Sequence, residues 1–218
     1  MKLSDLSILT VSFNNNLLTG MMLKSFQKQV GELPEVVIVD NGDKIPVDDG
    51  LKSCFNVIDN FQNKLLPKES NASRNHAKAI DYALKNCIKT KWVLLVDNDI
   101  LFYPRLSDFI RTFNDAEWDT AGEIGYDYTP PDRIFPYLHL INVDKFNKER
   151  HNYYDEQRII LDWKKSNKMD TGYSFFEDIK NEWKIYQIKL SDFCIHLKSG
   201  SLWNKNIKQW LTENKELF

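Results

Sequence analysis

An α/β domain with a mostly parallel central sheet is the fold class the sequence predicts, and three observations predict it. Apolar runs of strand length alternate with amphipathic runs of helical length through the first half. One of them, "EVVIVD", is nearly continuous in apolar residues, as buried parallel strands are. Three of them end in polar clusters, Thr10/Ser12/Asn14, Asp40/Asn41 and Asp97/Asn98/Asp99. Sheets of this kind build ligand sites outside the carboxyl ends of their strands.

The elements follow in order. "LSILTVSF" (6–13) is apolar and β-branched and reads as a strand. In "NNLLTGMMLKSFQKQV", Leu18, Met21, Met22, Phe26 and Val30 recur at helical spacing, and "GELP" stops the helix. "EVVIVDNGD" (35–43) is a second strand and "FNVID" (55–59) a short third. "NASRNHAKAIDYALKN" (71–86) is a helix with Asn71 or Ser73 as cap and Ala77, Ile80, Ala83 and Leu84 as its apolar stripe. "KWVLLVDNDILFYP" is a fourth strand running into an Asp pair, and "LSDFIRTFND" is a short helix. Residues 116–150 are irregular and rich in Pro and aromatics. A helix over 171–182, a strand over 184–190 and the amphipathic segment "LWNKNIKQWL" complete the chain. No linker or repeat separates these elements, so residues 1–218 read as one domain, with a ligand-binding half (1–105) and a second half (106–218).

Composition narrows the function. With 218 residues the chain can bury a core without disulfides or structural metal. A net charge of −2 does not indicate a globally basic nucleic-acid binder. Cys54, Cys87 and Cys194 are scattered, with no metal-ligand spacing, and read as reduced thiols of a cytoplasmic protein. The N-terminal apolar stretch is too short for a signal peptide, and no segment approaches the ~20 apolar residues that span a bilayer.

Asp97 and Asp99 carry the sharpest signal. In an extended segment, residues i and i+2 share a side, so both carboxylates would face one site. A hard divalent cation, Mn²⁺ or Mg²⁺, relieves their repulsion. The alternative is a strand-end turn, where Asp and Asn are favoured anyway. An EF-hand loop beginning at Asp97 is excluded, because Phe102 and Asp108 stand where Gly and Glu are required. A phosphatase or phosphotransferase with Asp97 as nucleophile stays open as a competing enzyme class, and a non-catalytic nucleotide-binding module as a third reading.

The stretches "LSILTVSFNN", "EVVIVDNGD", "NASRNHAKAIDYAL" and "KWVLLVDNDILF", in this order over roughly residues 5–105, resemble family 2 glycosyltransferases of the GT-A fold. The resemblance implies a nucleotide-sugar donor, most commonly UDP-linked, across the strand ends. Thr10, Ser12 and Asn14 would line the nucleotide pocket, Asp40 would contact base or ribose, and Arg74 and Asn75 would approach the nucleotide. Asp97 would sit near ribose or metal, and Asp99 would bind the metal that bridges the diphosphate. His196, in "FCIHLKSGS", would complete the metal shell or touch the diphosphate. His76, His139 and His151 have no comparable support.

The resemblance also implies a base at the start of a helix about a dozen residues before a strand. In "KMDTGYSFFEDIKNEWKIYQI", Asp170 has nearly that distance, with Met169 where the family has Glu. Glu177-Asp178 is the alternative register, and an N-cap role suits Asp170 equally. Trp203 is the aromatic singled out for substrate contact. The expected reaction is an inverting displacement at the anomeric carbon, with Asp170 taking the proton of the acceptor hydroxyl. The acceptor, whether a sugar, a protein side chain or a modified nucleic-acid base, is not specified by the sequence.

Overall fold

In the computed structural model, which describes residues 1–69, 72–125, 132–155, 171–197 and residue 212, the carboxyl end of the first strand lies at the point where the sheet reverses its order. The strands are β1 (Leu6–Ser12), β2 (Glu35–Asp40), β3 (Asn56–Asp59), β4 (Trp92–Asp97), β5 (Ile100–Phe102), β6 (Thr120–Gly122), β7 (Ile124–Gly125), β8 (Arg133–Ile134), β9 (Leu138–Asn142), β10 (Ile185–Gln187) and β11 (Cys194–His196). The helices are α1 (Asn16–Val30), α2 (Asp49–Cys54), α3 (Ala72–Asn86), α4 (Arg105–Thr112), α5 (Val143–Glu149) and α6 (Tyr173–Ile179). The main sheet has seven strands in the order β10-β6-β9-β4-β1-β2-β3. β1 pairs in parallel with both β2 and β4, so the chain builds outward on one side of β1 and returns to its other side. That return opens a crevice at the carboxyl edge.

Helices cover both faces. Leu9, Val11, Val37, Val39, Val93 and Leu95 pack with α3, α5 and α6. The alternate residues Ile8, Val36, Ile38, Leu94 and Val96 pack with α1 and α4. This is why β2 reads as a nearly continuous apolar run. Asn15 caps α1 by accepting from the Leu18 N–H (3.1 Å), and Gly31 ends it at φ 98°, a conformation that favours glycine.

Two expectations need correction. The Asp pair does not lie on one extended strand: β4 ends at Asp97, and Asn98-Asp99 form a turn into β5. The strand β9, in the stretch read as irregular, pairs antiparallel with both β4 and β6 and so joins the two halves of the sheet. α2 was also not foreseen. The predicted segment 202–211 lies outside the described residues.

β9 buries a polar group. His139 is fully inaccessible. The Thr120 hydroxyl donates to the Leu140 carbonyl (2.7 Å), so it accepts from His139 Nε2–H (2.7 Å). Nδ1 is left to accept from the Tyr153 hydroxyl. Burial holds the imidazole's pKa down to about 3. The native state therefore refuses a proton that the unfolded chain takes up below about pH 6.5. His139 should cost the wild type stability as pH falls from about 6.5 toward 3, by about 1.4 kcal/mol per pH unit at most. Asp81, whose carboxyl burial raises to about 6, acts in the opposite sense between its ordinary value and 6. Urea unfolding of wild type against His139→Gln across this range isolates the histidine: the gap between them should narrow on acidification. A constant gap contradicts the assignment.

Candidate active site

The crevice is a cavity of about 630 Å³ at the carboxyl edge, within the size range of small-molecule sites. Val11 and Phe13 from the end of β1, Asn41 and Asp43 beyond β2, and Asn75 and His76 from α3 line it. Asp97 ends β4, Asp99 lies in the turn to β5, and Arg133, Tyr137, Thr171 and His196 close the far side.

The turn carrying the carboxylates is pinned from below. Thr19 donates its hydroxyl to the Asn15 carbonyl (2.9 Å) and thus accepts from both Ser12 (3.2 Å) and Asn98 Nδ2 (3.3 Å). This anchor buries the Asn98 side chain, and Asp97, Asn98 and Asp99 all border the cavity. β5 pairs antiparallel with β11 in a register that sets His196 opposite Ile100, and the Leu197 N–H donates to the Asp99 carbonyl (2.9 Å). His196 Nε2 consequently lies 3.0 Å from Asp99 Oδ1. One ligand atom from each of Asp97, Asp99 and His196 lies within 4.8 Å of the others. Tyr137 stacks on the His196 imidazole at 4.3 Å and 24°, and Phe135 stacks on Tyr137 at 5.3 Å and 7°. The Tyr137 carbonyl also accepts from the Asp97 N–H (3.2 Å).

Arg133 ties this column to the opposite wall. It is only 6% exposed, donates to the Thr171 carbonyl (2.7 Å) and to the Tyr137 hydroxyl (3.2 Å), and lies over the Phe135 ring. The Thr171 hydroxyl donates to the Ser73 carbonyl in the first turn of α3 (3.1 Å). Gly172 follows at φ 92°, and any Cβ there would collide with the Ile134 carbonyl oxygen. The chain entering α6 is therefore fixed against both α3 and β8.

The first-half candidates divide by strand parity. Asn75 lines the cavity, with Oδ1 accepting from the Glu69 N–H (2.8 Å) and Nδ2 donating to the Glu69 carbonyl (3.1 Å). The Lys78 ammonium pairs with the Glu69 carboxylate, and this hydrogen bond is the main cause of that group's lowered pKa. Thr10 and Ser12 do not line the cavity; they point to the α1 side of β1, while Val11 and Phe13 point to the other. Asp40 is buried, accepting from the Gly42 N–H (3.2 Å) and the Val47 N–H (2.8 Å). Asn14, at φ 56°, accepts from the N–H groups of Asp43 (3.0 Å), Lys44 (2.8 Å) and Ile45 (2.9 Å), which shapes the loop after β2. Arg74 is half-buried and outside the lining.

Asp170 and Trp203 lie outside the described residues; Thr171, the residue after Asp170, lines the cavity. Of the alternative register, Glu177 pairs with Lys180 (2.8 Å), Asp178 lies 3.9 Å from His151, and neither lines the cavity. Sequence reasoning missed Phe13, Asp43, His76, Arg133 and Tyr137. Phe13 and His76 sit inside quoted motifs, and parity along β1 or helical spacing along α3 would have found them. Arg133 and Tyr137 had no local signal.

The model of the family described as "Glycosyl transferase family 2" matches residues 7–180. No curated protein matches the sequence significantly. Among solved structures, residues 1–349 of TarS from S. aureus superpose with TM-score 0.54 at 15% identity, over 87% of this chain and 59% of that one. A mannosyltransferase, PcManGT from Pyrobaculum calidifontis, in complex with GDP-Man and Mn²⁺, gives 0.56 at 13% identity, over 90% and 58%. GlyE from Streptococcus pneumoniae, an apo-form glycosyltransferase, gives 0.54 at 14% identity, over 84% and 44%. The chain thus spans roughly half of each of these structures, and at these identities the likeness concerns the fold.

Thr10 separates a scaffold position from a ligand contact. Its hydroxyl is buried and finds no hydrogen-bond partner among the described residues. Thr10→Val keeps the shape and removes that cost, so it should raise stability by about 1 kcal/mol in urea unfolding. Nucleotide-dependent thermal shifts should be unchanged. A smaller nucleotide-dependent shift would return Thr10 to the binding site, and a loss of stability would mean that its hydroxyl is paired.

Proposed function

The chain belongs to glycosyl transferase family 2, and from that premise we propose that it moves a sugar from a nucleotide-sugar donor, UDP-linked, to an acceptor hydroxyl by metal-assisted inverting displacement. The observation that carries the reading is the Asp97–Asp99–His196 cluster on the wall of the cavity at the sheet's switch point. Two carboxylates and an imidazole are a donor set that fits Mn²⁺, and Mg²⁺ less well. Asp97, Asp99 and His196 would hold the ion, which supplies neutralisation of the charge that develops on the departing diphosphate. The reported complexes of neighbouring proteins with GDP-Man and Mn²⁺ and with UDP-GlcNAc are consistent with such a donor.

The remaining roles follow from position. The partly exposed Phe13 ring offers a face to a nucleobase, with Asn41 and Asp43 as polar groups at the same end. Asn75 keeps Glu69, and with it the cavity's α3 side, in register. Asp170 is the base that takes the acceptor proton. Its candidacy is supported by Thr171, which is held to α3 and Arg133 at the cavity wall. A cytoplasmic setting completes the proposal; among the described residues no helix is long and apolar enough to cross a membrane.

Thermal unfolding with UDP, GDP, CDP and dTDP, each with and without Mn²⁺, tests the reading, since ligands of the native state raise the midpoint by RT ln(1 + [L]/Kd). One nucleotide, UDP, should shift the midpoint in a Mn²⁺-dependent way, and Asp99→Ala should abolish the shift. Asp170→Asn should preserve it while lowering transfer from the matching donor by at least about 10²-fold. Near-wild-type transfer by Asp170→Asn removes it as base, and no shift with any nucleotide and metal removes the transferase reading.

A further inference from the structure

The Asn41 amide is locked in one direction. Its backbone N–H donates to the Ser12 carbonyl (2.9 Å), which seats it beside Phe13 at the cavity. Its side chain meets Asn60, which follows β3 and is only 1% exposed. Asn60 Oδ1 accepts from the Leu65 N–H (3.0 Å) and the Leu66 N–H (2.7 Å), a task that only the carbonyl oxygen of an amide can perform. Asn60 Nδ2 is therefore the donor to Asn41 (2.7 Å), and the Asn41 atom that accepts is Oδ1. Turning the Asn41 amide over would set two NH₂ groups against each other at a buried contact. Asn41 Nδ2 is left at the cavity as a donor, with no hydrogen-bond partner among the described residues.

Asp43 is fixed by the same logic. Asn14 Oδ1 accepts from three backbone N–H groups, so Asn14 Nδ2 is the donor to Asp43 Oδ1 (2.8 Å). Gly42 permits this approach, since a Cβ there would stand 2.9 Å from Asn14 Oδ1. The other carboxylate oxygen of Asp43 remains to accept. Asn41 and Asp43, on either side of Gly42, thus bring one fixed donor and one acceptor to the cavity.

Resting on the nucleotide-sugar reading above, we propose that Asn41 and Asp43 select an oxo nucleobase over its amino counterpart, uracil over cytosine, and that Asn60 is the positioning residue that sets this choice. The uracil edge runs carbonyl, N–H, carbonyl. With Asp43 on the central N–H, a carbonyl stands on either side for Asn41. The cytosine edge runs carbonyl, bare nitrogen, amino group. Asp43 would face a lone pair at its centre, and moving Asp43 to the amino group satisfies Asn41 in only one of two orders. A freely turning amide would serve either base. A pinned one leaves polar atoms unpaired against the wrong base, which is how a polar site rejects a near-isostere.

Calorimetric titration of the full chain with UDP and with CDP, both in Mn²⁺, tests this. The wild type should bind UDP at least about tenfold more tightly than CDP, the worth of one mismatched polar group. Asn41→Asp keeps the bond from Asn60 but puts an acceptor at the cavity. Asn60→Asp makes the Asn41 amide turn over and present Oδ1. Each should bring the UDP-to-CDP ratio to parity or reverse it, whereas a merely structural role would weaken both nucleotides alike. Thermal midpoints without ligand show that each variant folds, and either one suffices if the other does not. If the protein responds to GDP instead of UDP, GDP against ADP poses the same question. If Asp99→Ala abolishes Mn²⁺-dependent nucleotide binding while both variants keep the wild-type ratio, the base assignment falls and the transferase reading stands. A wild-type preference for CDP likewise overturns the assignment. If no nucleotide binds, both fall together.

Discussion

Two carboxylates held close together at the end of a buried strand repel each other, and much of the carboxyl edge is arranged around keeping them there. For two unit charges no more than 4.8 Å apart, at an effective dielectric of about 20, the repulsion is at least on the order of 3 kcal/mol. That is a large share of the stability of an ordinary domain. Left alone, the turn would splay. It is held instead by a buried asparagine: Asn98 donates its side-chain amide to Thr19, and Thr19 is itself committed to the first turn of α1. A buried amide with a satisfied donor is costly to pull free, because its polar atoms would be left unpaired. Its neighbours on both sides have little freedom to retreat, and the α1 cap has become part of the site.

This explains which parts of the site were legible. Apart from α2 and the break between β4 and β5, elements of the first half were read correctly because each is local: a run of apolar residues, a stop, a cap. The Asp pair was legible as a pair, but for an incomplete reason. The i, i+2 rule assumes an extended backbone, whereas the chain turns at Asn98-Asp99, and the turn brings the carboxylates together by another route. The polar strand ends were misread in a more general way. Thr10 and Ser12 are polar residues near a ligand edge, but polarity does not say which side of a sheet a residue faces. Parity does, and parity gives the cavity to Val11 and Phe13. Ser12 then reaches the site indirectly, through Thr19 and Asn98, and Asn14 and Asp40 do so by building the loop that presents Asp43.

What no local pattern shows is how residues from far along the chain arrive. His196, named from the sequence only through the family resemblance, meets Asp99 through the pairing of β11 with β5, and Tyr137 meets His196 because β9 enters the sheet beside β4. β9 carries His139 in its centre, and a histidine in a stretch rich in Pro and aromatics is a poor strand signal. The structure makes it acceptable by giving both ring nitrogens partners, Thr120 and Tyr153. Those partners lie on β6 and beyond α5, so the signal that makes the strand viable was never local.

The same long-range contacts bear on how the two halves divide their work. A cut near residue 105 separates the motifs, but it does not separate the sheet, since β4 is bonded to β1 on one side and to β9 on the other. Nor does it separate the site. Arg133 is the clearest case: its guanidinium joins Tyr137, which stacks on the His196 imidazole, to Thr171, which begins the approach to α6. A planar group with donors in fixed directions suits this better than a lysine, which could not hold two acceptors at set angles. Gly172 adds the steric half of the same constraint, because only a residue without a side chain lets the chain pass the Ile134 carbonyl. Displacing the entry to α6 would therefore disturb the His196 stack through Arg133, and displacing His196 would disturb the entry to α6. A transfer reaction needs its two reacting groups in register at the same moment. A buried guanidinium that joins two walls of the cavity is a direct way to hold those walls in register with each other.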